Sequence, residues 1–472
     1  LTLKELSEYC FRDADITLKL TTFDNNLVLK LIILMMRISK LPIEDLTRSG
    51  VSNWIKSMMY FMHRQKGYLI PEPDEIKRVK GKVSTKAIIK GKKYLGAIVI
   101  DPLPGVFFNV VVVDFASLYP SVVKRWNLSY ETVNCPHEEC KENKIPGLPH
   151  WVCKKRRGLS SLATMFLRDF RVEIYKPLSK RKDLDPKQRE VYDTIQLALK
   201  VFINASYGVF GAETFPLYCP PVAESTTALG RYAISKTIKK AIEMGLAILY
   251  GDTDSLFLWN PPKEKVEELL NWVKSNLGID LDIDKVYRYV AFSSRKKNYL
   301  GILEDGRLDI KGLVGKKRHT PEFLKKLFLD ISMALSEIKT TEDFNEIKNK
   351  IREITRNSII KLKNKEYSLD DLAFKVALTK NLNEYTKNTP QHVKAAKMLL
   401  HYNYRIEAGS IISFVKTKGS VGVKPVQLAR IDEIDEEKYF SHLETTLSQV
   451  LEAIGLSLDE IAGRKHLESF LG

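Results

Sequence analysis

Two aspartates at the tip of a short apolar hairpin constrain this chain more than any other feature. Leu246-Ala247-Ile248-Leu249-Tyr250 leads into Gly251-Asp252-Thr253-Asp254, and Ser255-Leu256-Phe257-Leu258-Trp259 leads out. Two apolar runs around a Gly/Asp/Thr turn read as a β-hairpin. Carboxylates one residue apart at its tip repel unless something positive sits there. A hard divalent cation such as Mg²⁺, which prefers oxygen ligands, meets that need. Taken alone, the segment reads equally well as an ordinary acidic turn, since Gly-Asp turns are common.

A second acidic site sharpens the reading. Phe107-Phe108-Asn109-Val110-Val111-Val112-Val113 is β-branched and apolar, and reads as a buried strand ending in Asp114. A carboxylate there needs compensation, although a strand-end cap is the plainer reading of Asp114 alone. Together Asp114 and Asp254 can clamp two Mg²⁺ ions about 3.5–4 Å apart, the separation used for in-line displacement at phosphorus. One ion would activate the attacking hydroxyl, and the other would neutralise charge on the leaving group.

A third constellation is basic. Val191 to Gly208 has helical periodicity, and Lys200, Asn204 and Tyr207 fall on one face at i, i+4 and i+7. A cation, an amide and a ring on one stripe suit a nucleoside triphosphate: Lys meets phosphate as a point charge, and the ring packs on a base pair. Without its neighbours, Lys200 would read as a solvated lysine.

The formal net charge of +17 and pI of about 9.3 favour a polyanionic partner, with binding that weakens steeply in salt. A basic soluble protein, or one drawn to acidic membranes, is the alternative. No run of about 18 apolar residues appears. The nearest, Leu27 to Met36, is short, interrupted by Lys30, and reads as a core helix. No signal-peptide pattern is read at the start.

These segments carry a family resemblance. Asp114-Phe-Ala-Ser-Leu-Tyr-Pro-Ser121, Lys200-Val-Phe-Ile-Asn-Ala-Ser-Tyr-Gly208 and Tyr250-Gly-Asp-Thr-Asp-Ser255 resemble, in order and spacing, the first palm, fingers and second palm motifs of B-family DNA polymerases, archaeal replicative enzymes above all. Tyr94-Leu95-Gly96-Ala97 resembles the motif that couples the polymerase and exonuclease sites. Lys296-Lys297-Asn298-Tyr299 resembles the one that grips the primer-template minor groove, and Lys311-Gly312-Leu313 the passage into the thumb.

The resemblance implies roles. Asp114 and Asp254 would hold the metals with the Phe115 carbonyl, and Asp252 would be a supporting catalytic carboxylate. Lys200, Asn204, Tyr207, Ser117, Leu118 and Tyr119 would bind the nucleotide. Tyr119 would be a steric gate with no room for a 2′-hydroxyl, a specificity by clash. Arg171 is the best match to the fingers arginine, with Arg168 one turn earlier as the alternative; guanidinium grips phosphate bidentately. The family's lysine four residues on is Tyr175 here, with Lys176 one residue late, and Ala205 stands where serine is frequent. Tyr94, Gly96, Lys296, Lys297, Tyr299 and Lys311 would contact DNA. Two Mg²⁺ ions and dNTPs, primer-template DNA and an archaeal, nucleoid-associated cytoplasmic location are implied.

The implied fold is α+β, a right hand with an antiparallel-sheet palm, helical-hairpin fingers and a mainly helical thumb. Its parts are expected at 1–40 (exonuclease end), 41–91 (helical connection), 92–157 and 217–313 (palm), 158–216 (fingers) and 314–472 (thumb). Leu1 to Ile38 reads as helix, and Tyr9-Cys10-Phe11-Arg12-Asp13 within it resembles the last exonuclease motif, with Tyr9 and Asp13 as its remnant. The chain opens without methionine, in mid-element. It is expected to be the C-terminal portion of a longer proofreading polymerase, or one piece of a split one, with its N-terminal exonuclease region as partner. A catalytically dead DNA-binding relative and an RNA-making polymerase are the alternatives. The three intact carboxylates oppose the first, and Tyr119 opposes the second.

Of five cysteines, Cys135, Cys140 and Cys153 cluster in sequence with His137 and His150, a spacing that fits no standard zinc finger. Zinc, a disulfide and free thiols are open on the residues alone. The resemblance implies a Cys140–Cys153 disulfide, as in hyperthermophilic relatives, and a free Cys219, since its partner position is Val222. Arg464 to Leu471 resembles a degenerate sliding-clamp-binding motif, or an amphipathic helical end; a clamp would tether the enzyme near DNA.

Overall fold

The computed structural model describes residues 2–84, 99–312, 319–385 and 389–463. The opening helical pattern forms α1, Leu3–Ser39, but it is broken at Phe23–Asn26, where Asp24, Asn25 and Asn26 take left-handed φ of 48°, 54° and 62°. Short polar Asx side chains tolerate that region best. The break sets α1 beside a later helix, with Asn25 and Lys30 bonding Glu190 at 3.0 and 3.1 Å. Three helices follow α1: α2 (Ile43–Arg48), α3 (Val51–Gln65) and α4 (Pro73–Lys80).

A seven-stranded antiparallel sheet follows. Its strands are β1 (Val99–Ile100), β2 (Gly105–Phe115), β3 (Ala247–Asp252), β4 (Ser255–Trp259), β5 (Leu281–Phe292), β6 (Tyr299–Leu303) and β7 (Leu308–Lys311), in the order β1-β3-β4-β2-β5-β6-β7. The β-branched β2 is central, as a strand buried on both faces must be. Alternation assigns Leu256 and Leu258 to one core and Phe257 to another, where it meets Tyr250, Phe292 and Tyr299.

Between β2 and β3 the chain makes α5 (Leu118–Arg125), α6 (Leu159–Asp169), a π-helical turn at Phe170–Tyr175, α7 (Lys176–Leu178), α8 (Pro186–Phe210) and α9 (Pro220–Glu243). The turn into α8 is as the sequence indicates: Asp185 accepts from the Lys187 N–H at 3.0 Å, and Pro186 takes the first helical position. Pro221 to Gly230 of α9 is wholly buried. Its hydroxyls are satisfied within the helix, Thr226 Oγ1 donating to the Val222 carbonyl at 2.8 Å.

After α10 (Lys263–Leu277) and β5–β7 come α11 (Glu322–Glu337), α12 (Thr341–Lys363), α13 (Leu369–Leu372), α14 (Gln391–His401), α15 (Glu436–Ala453) and α16 (Leu458–Ala462). A reading that is mainly helical beyond 314 holds, with one addition: β8 (Phe374–Ala377), β9 (Ile411–Lys416) and β10 (Val423–Pro425) form a three-stranded antiparallel sheet. The architecture is α+β. Among the described residues no helix is long and apolar enough to cross a membrane.

Candidate active site

Pairing of β2 with β4 sets Asp114 opposite Ser255, and the Phe115 N–H donates to the Asp254 carbonyl at 2.9 Å. The strand end and the hairpin tip are thereby bolted together. Thr253 takes a φ of 61° to close the tip, and the Asp254 N–H reaches the Asp252 carbonyl at 2.6 Å. Burial first, then the charges of Asp254 and Asp284, push the Asp114 carboxyl up to about 7, against the pull of the Phe115 backbone and Lys176. Asp254 is raised too, by burial and then by Asp252. Asp114 Oδ1 is buried without a hydrogen-bond partner. Asp252 differs from both: it pairs with Lys297 Nζ at 3.0 Å. Two crowded, unneutralised carboxylates with an orphaned oxygen are a donor set for a hard divalent cation.

Lys200 and Asn204 are exposed on α8, and Tyr207 follows on the same stripe. Tyr207 stacks on Tyr119 of α5, with centroids 4.5 Å apart and planes at 27°. That contact joins the basic stripe to the strand end bearing Asp114. Gly230 of α9 makes room for the Tyr119 ring, since a Cβ there would stand 2.9 Å from Tyr119 Cε1. Leu118 is buried, so only its backbone, with that of Ser117, opens the first turn of α5. Arg231, beside Tyr119 and Tyr207, was not anticipated from the sequence; burial lowers its pKa.

The two candidate arginines separate cleanly. Arg168 is 2% exposed and fully engaged: Nε to Ser121 Oγ at 2.8 Å, Nη2 to Asp280 at 2.5 Å and Nη1 to Asp169 at 3.1 Å. Arg171 has a buried Nε with no partner, and burial, then Arg168, lowers its pKa. It stands in the π-helical turn, where the Lys176 N–H donates to the Arg171 carbonyl, five residues back. A π turn absorbs one extra residue, so Lys176 stands one turn after Arg171, where an α-helix would place its fourth successor.

Lys297 reaches Asp252, and Lys296 reaches Asp101 at 3.0 Å. Lys311 is exposed and paired in register with Tyr299. Tyr299 itself is packed in the aromatic cluster with Tyr250, Phe257 and Phe292 and is 8% exposed, so most of its ring supports the sheet. Gly312 packs against the Lys297 carbonyl, where a Cβ would come within 2.0 Å. Tyr94, Gly96, Leu313 and Arg464 to Leu471 lie outside the described residues. Tyr9 and Asp13 are exposed on α1, which packs against α2, α3 and α8. The Cys140–Cys153 disulfide that the resemblance implies is not formed in this structure. All five cysteines are free, and His137 Nδ1 and Cys135 share the space around Cys140 and Cys153.

A family model described as DNA polymerase family B matches residues 41–454. The chain belongs to that family. DNA polymerase 1 of Sulfolobus acidocaldarius is 53% identical over all of this chain and 54% of its own length. DNA polymerase 1 of Aeropyrum pernix is 50% identical over all of this chain and 49% of its own length. The family B DNA polymerase of Pyrobaculum calidifontis superposes with a TM-score of 0.68 at 28% identity, over 98% of this chain and 57% of that one. The chain thus spans about half the length of the family B relatives it matches.

Proposed function

We propose that this chain is the polymerase portion of a longer proofreading family B enzyme, and that it adds deoxynucleotides to a primer 3′-hydroxyl on a DNA template during archaeal replication. The carrying observation is the half-buried pair Asp114 and Asp254, crowded together with a buried, unpaired Asp114 Oδ1. These two residues, with the Phe115 carbonyl, would hold two Mg²⁺ ions. Bound Mg²⁺ would lower the barrier to attack by the 3′-hydroxyl and offset charge on the departing pyrophosphate.

The chain's own groups do the rest. Arg171, Lys176, Lys200 and Asn204 bind the triphosphate. The backbone at Ser117 and Leu118 supplies N–H groups at a helix start, where anions are favoured. Tyr119 excludes a 2′-hydroxyl, and Tyr207 backs it and packs near the base pair. Lys297 holds Asp252 in place, and Lys296 and Lys311 meet the duplex backbone, which positions DNA without reading it. Residues 92–157 and 217–313 act as palm, 158–216 as fingers and 314–472 as thumb. Proofreading belongs to the longer protein, of which Tyr9 and Asp13 are a remnant. A sliding clamp at Arg464 to Leu471 and a cytoplasmic, nucleoid-associated location complete the reading.

Primer extension with Mg²⁺ and four dNTPs tests this directly. The parent chain should extend the primer and Asp254→Ala should not. Equal extension by both would refute the assignment.

A further inference from the structure

Residues 133–153, between α5 and α6, fold back on themselves. Val133 bridges Val152, Lys144 bridges Trp151, and Trp151 Nε1 donates to the Cys135 carbonyl at 2.9 Å. The interior of this excursion is unusual. Cys135, Cys140 and Cys153 form a buried cluster of their own, with Trp151 as their apolar neighbour, apart from the three apolar cores. The three sulfurs and one nitrogen of His137 all lie within 4.8 Å of one another. His137 Nδ1 is 3.4 Å from Cys153 Sγ. The Lys154 N–H points at Cys140 Sγ from 3.4 Å, as backbone amides do toward thiolates.

We infer that Cys135, His137, Cys140 and Cys153 form a structural zinc site. Bonds of about 2.3 Å to sulfur and 2.0 Å to nitrogen place the corners of a tetrahedron roughly 3.5–3.8 Å apart; the His137–Cys153 pair stands at 3.4 Å, and every other pair lies within 4.8 Å. Three sulfurs and one imidazole nitrogen select a borderline-soft ion, with zinc the foremost. Four protein ligands leave no open position, so the ion is structural. A disulfide between any two cysteines would leave the third sulfur and the imidazole converging for no purpose. Three thiolates and a neutral imidazole leave one net negative charge around Zn²⁺.

The consequence reaches the fingers. Asn127 Nδ2 donates to the Cys153 carbonyl at 3.2 Å, and its Oδ1 accepts from the Gly158 N–H at 2.9 Å, where α6 begins. His150, in the same excursion, meets the buried Glu224 of α9 at 2.9 Å. The site thus staples the root of α6, the helix leading to Arg171.

The test is metal content by mass spectrometry on the chain, produced with zinc in the medium and purified under reducing conditions, alongside a Cys135→Ser variant. The parent should carry one zinc per chain, the variant well under half of one, and all cysteines should titrate as thiols after denaturation with chelator. Should the variant prove insoluble, Co²⁺ substitution of the parent decides. Thiolate-to-cobalt charge transfer with tetrahedral ligand-field bands supports the site, and their absence overturns it. Zinc-free parent protein, zinc retained in full by the variant, or a Cys140–Cys153 disulfide recovered by peptide mapping would each overturn it as well.

Discussion

The backbone N–H of Lys176 donates to the carbonyl of Arg171, closing a turn of five residues where an α-helix would use four. One extra residue in the turn explains why the family lysine looks displaced in the sequence. The displaced residue lies near the site: burial raises the Asp114 carboxyl, and the charge of Lys176 pulls weakly against it.

Lys176→Ala should therefore lower kcat/KM for dNTPs by about 10- to 100-fold, the worth of a charged contact to phosphate. Tyr175→Ala should change it little, since its ring rests beside Tyr192 at 6.1 Å. Steady-state incorporation by the two variants checks this. The reverse ranking would show that the π turn does not restore the register.

Arg168 and Arg171 should fail in different ways. Arg168→Ala removes the partner of Asp280, whose carboxyl burial would raise but the Arg168 hydrogen bond holds below its usual range. Thermal or urea unfolding should show a loss of about 3 kcal/mol, as for other broken buried pairs. Arg171→Ala should unfold like the parent and lose nucleotide incorporation instead.

The gate makes a coupled prediction. Tyr119→Ala should admit ribonucleotides. Gly230→Ala should push the Tyr119 ring toward the sugar space, because its Cβ would sit 2.9 Å from Tyr119 Cε1, and should raise the KM for dNTPs while ribonucleotides stay excluded. In the double variant the Gly230→Ala penalty should vanish, a non-additivity that reports direct contact. Retained exclusion of ribonucleotides by Tyr119→Ala would remove the gate assignment.

Burial and Asp254 raise Asp114 from an ordinary 3.8 to about 7. The folded, metal-free chain therefore holds a proton that the unfolded chain has lost. That contribution to stability is complete below pH 3.8 and is lost as pH rises through about 7. Metal-free thermal melts should fall across that window, and Asp114→Asn should flatten the slope. Below pH 7, Mg²⁺ binding should release a proton, measurable by calorimetry in buffers of differing ionisation enthalpy.

Much of this was legible in the sequence for a local reason. The hairpin tip, the β-branched strand into Asp114 and the Lys200-Asn204-Tyr207 stripe are set by period and turn chemistry within a few residues. What escaped is non-local or off-period. The π turn resembles a substitution when read in α-helical register. In the small sheet of β8, β9 and β10, β8 pairs with β9 from more than thirty residues away, across helical, charge-rich sequence. Tyr299 enters the reading only through the resemblance of its motif, and its burial comes from tertiary packing that the motif does not show. The Cys–His cluster needs the fold to bring Cys153 back to Cys135, so spacing left zinc, a disulfide and free thiols open, and only the resemblance favoured a pair.

On the proposed roles, Asp114 and Asp254 hold the metals and contribute little to gripping DNA. Single-nucleotide incorporation and primer-template binding by fluorescence anisotropy, measured side by side on Asp114→Ala and Asp254→Ala, separate the two. Incorporation should be abolished in both variants, with duplex affinity within a few-fold of the parent. Retained incorporation with weakened DNA binding in either variant would overturn those roles.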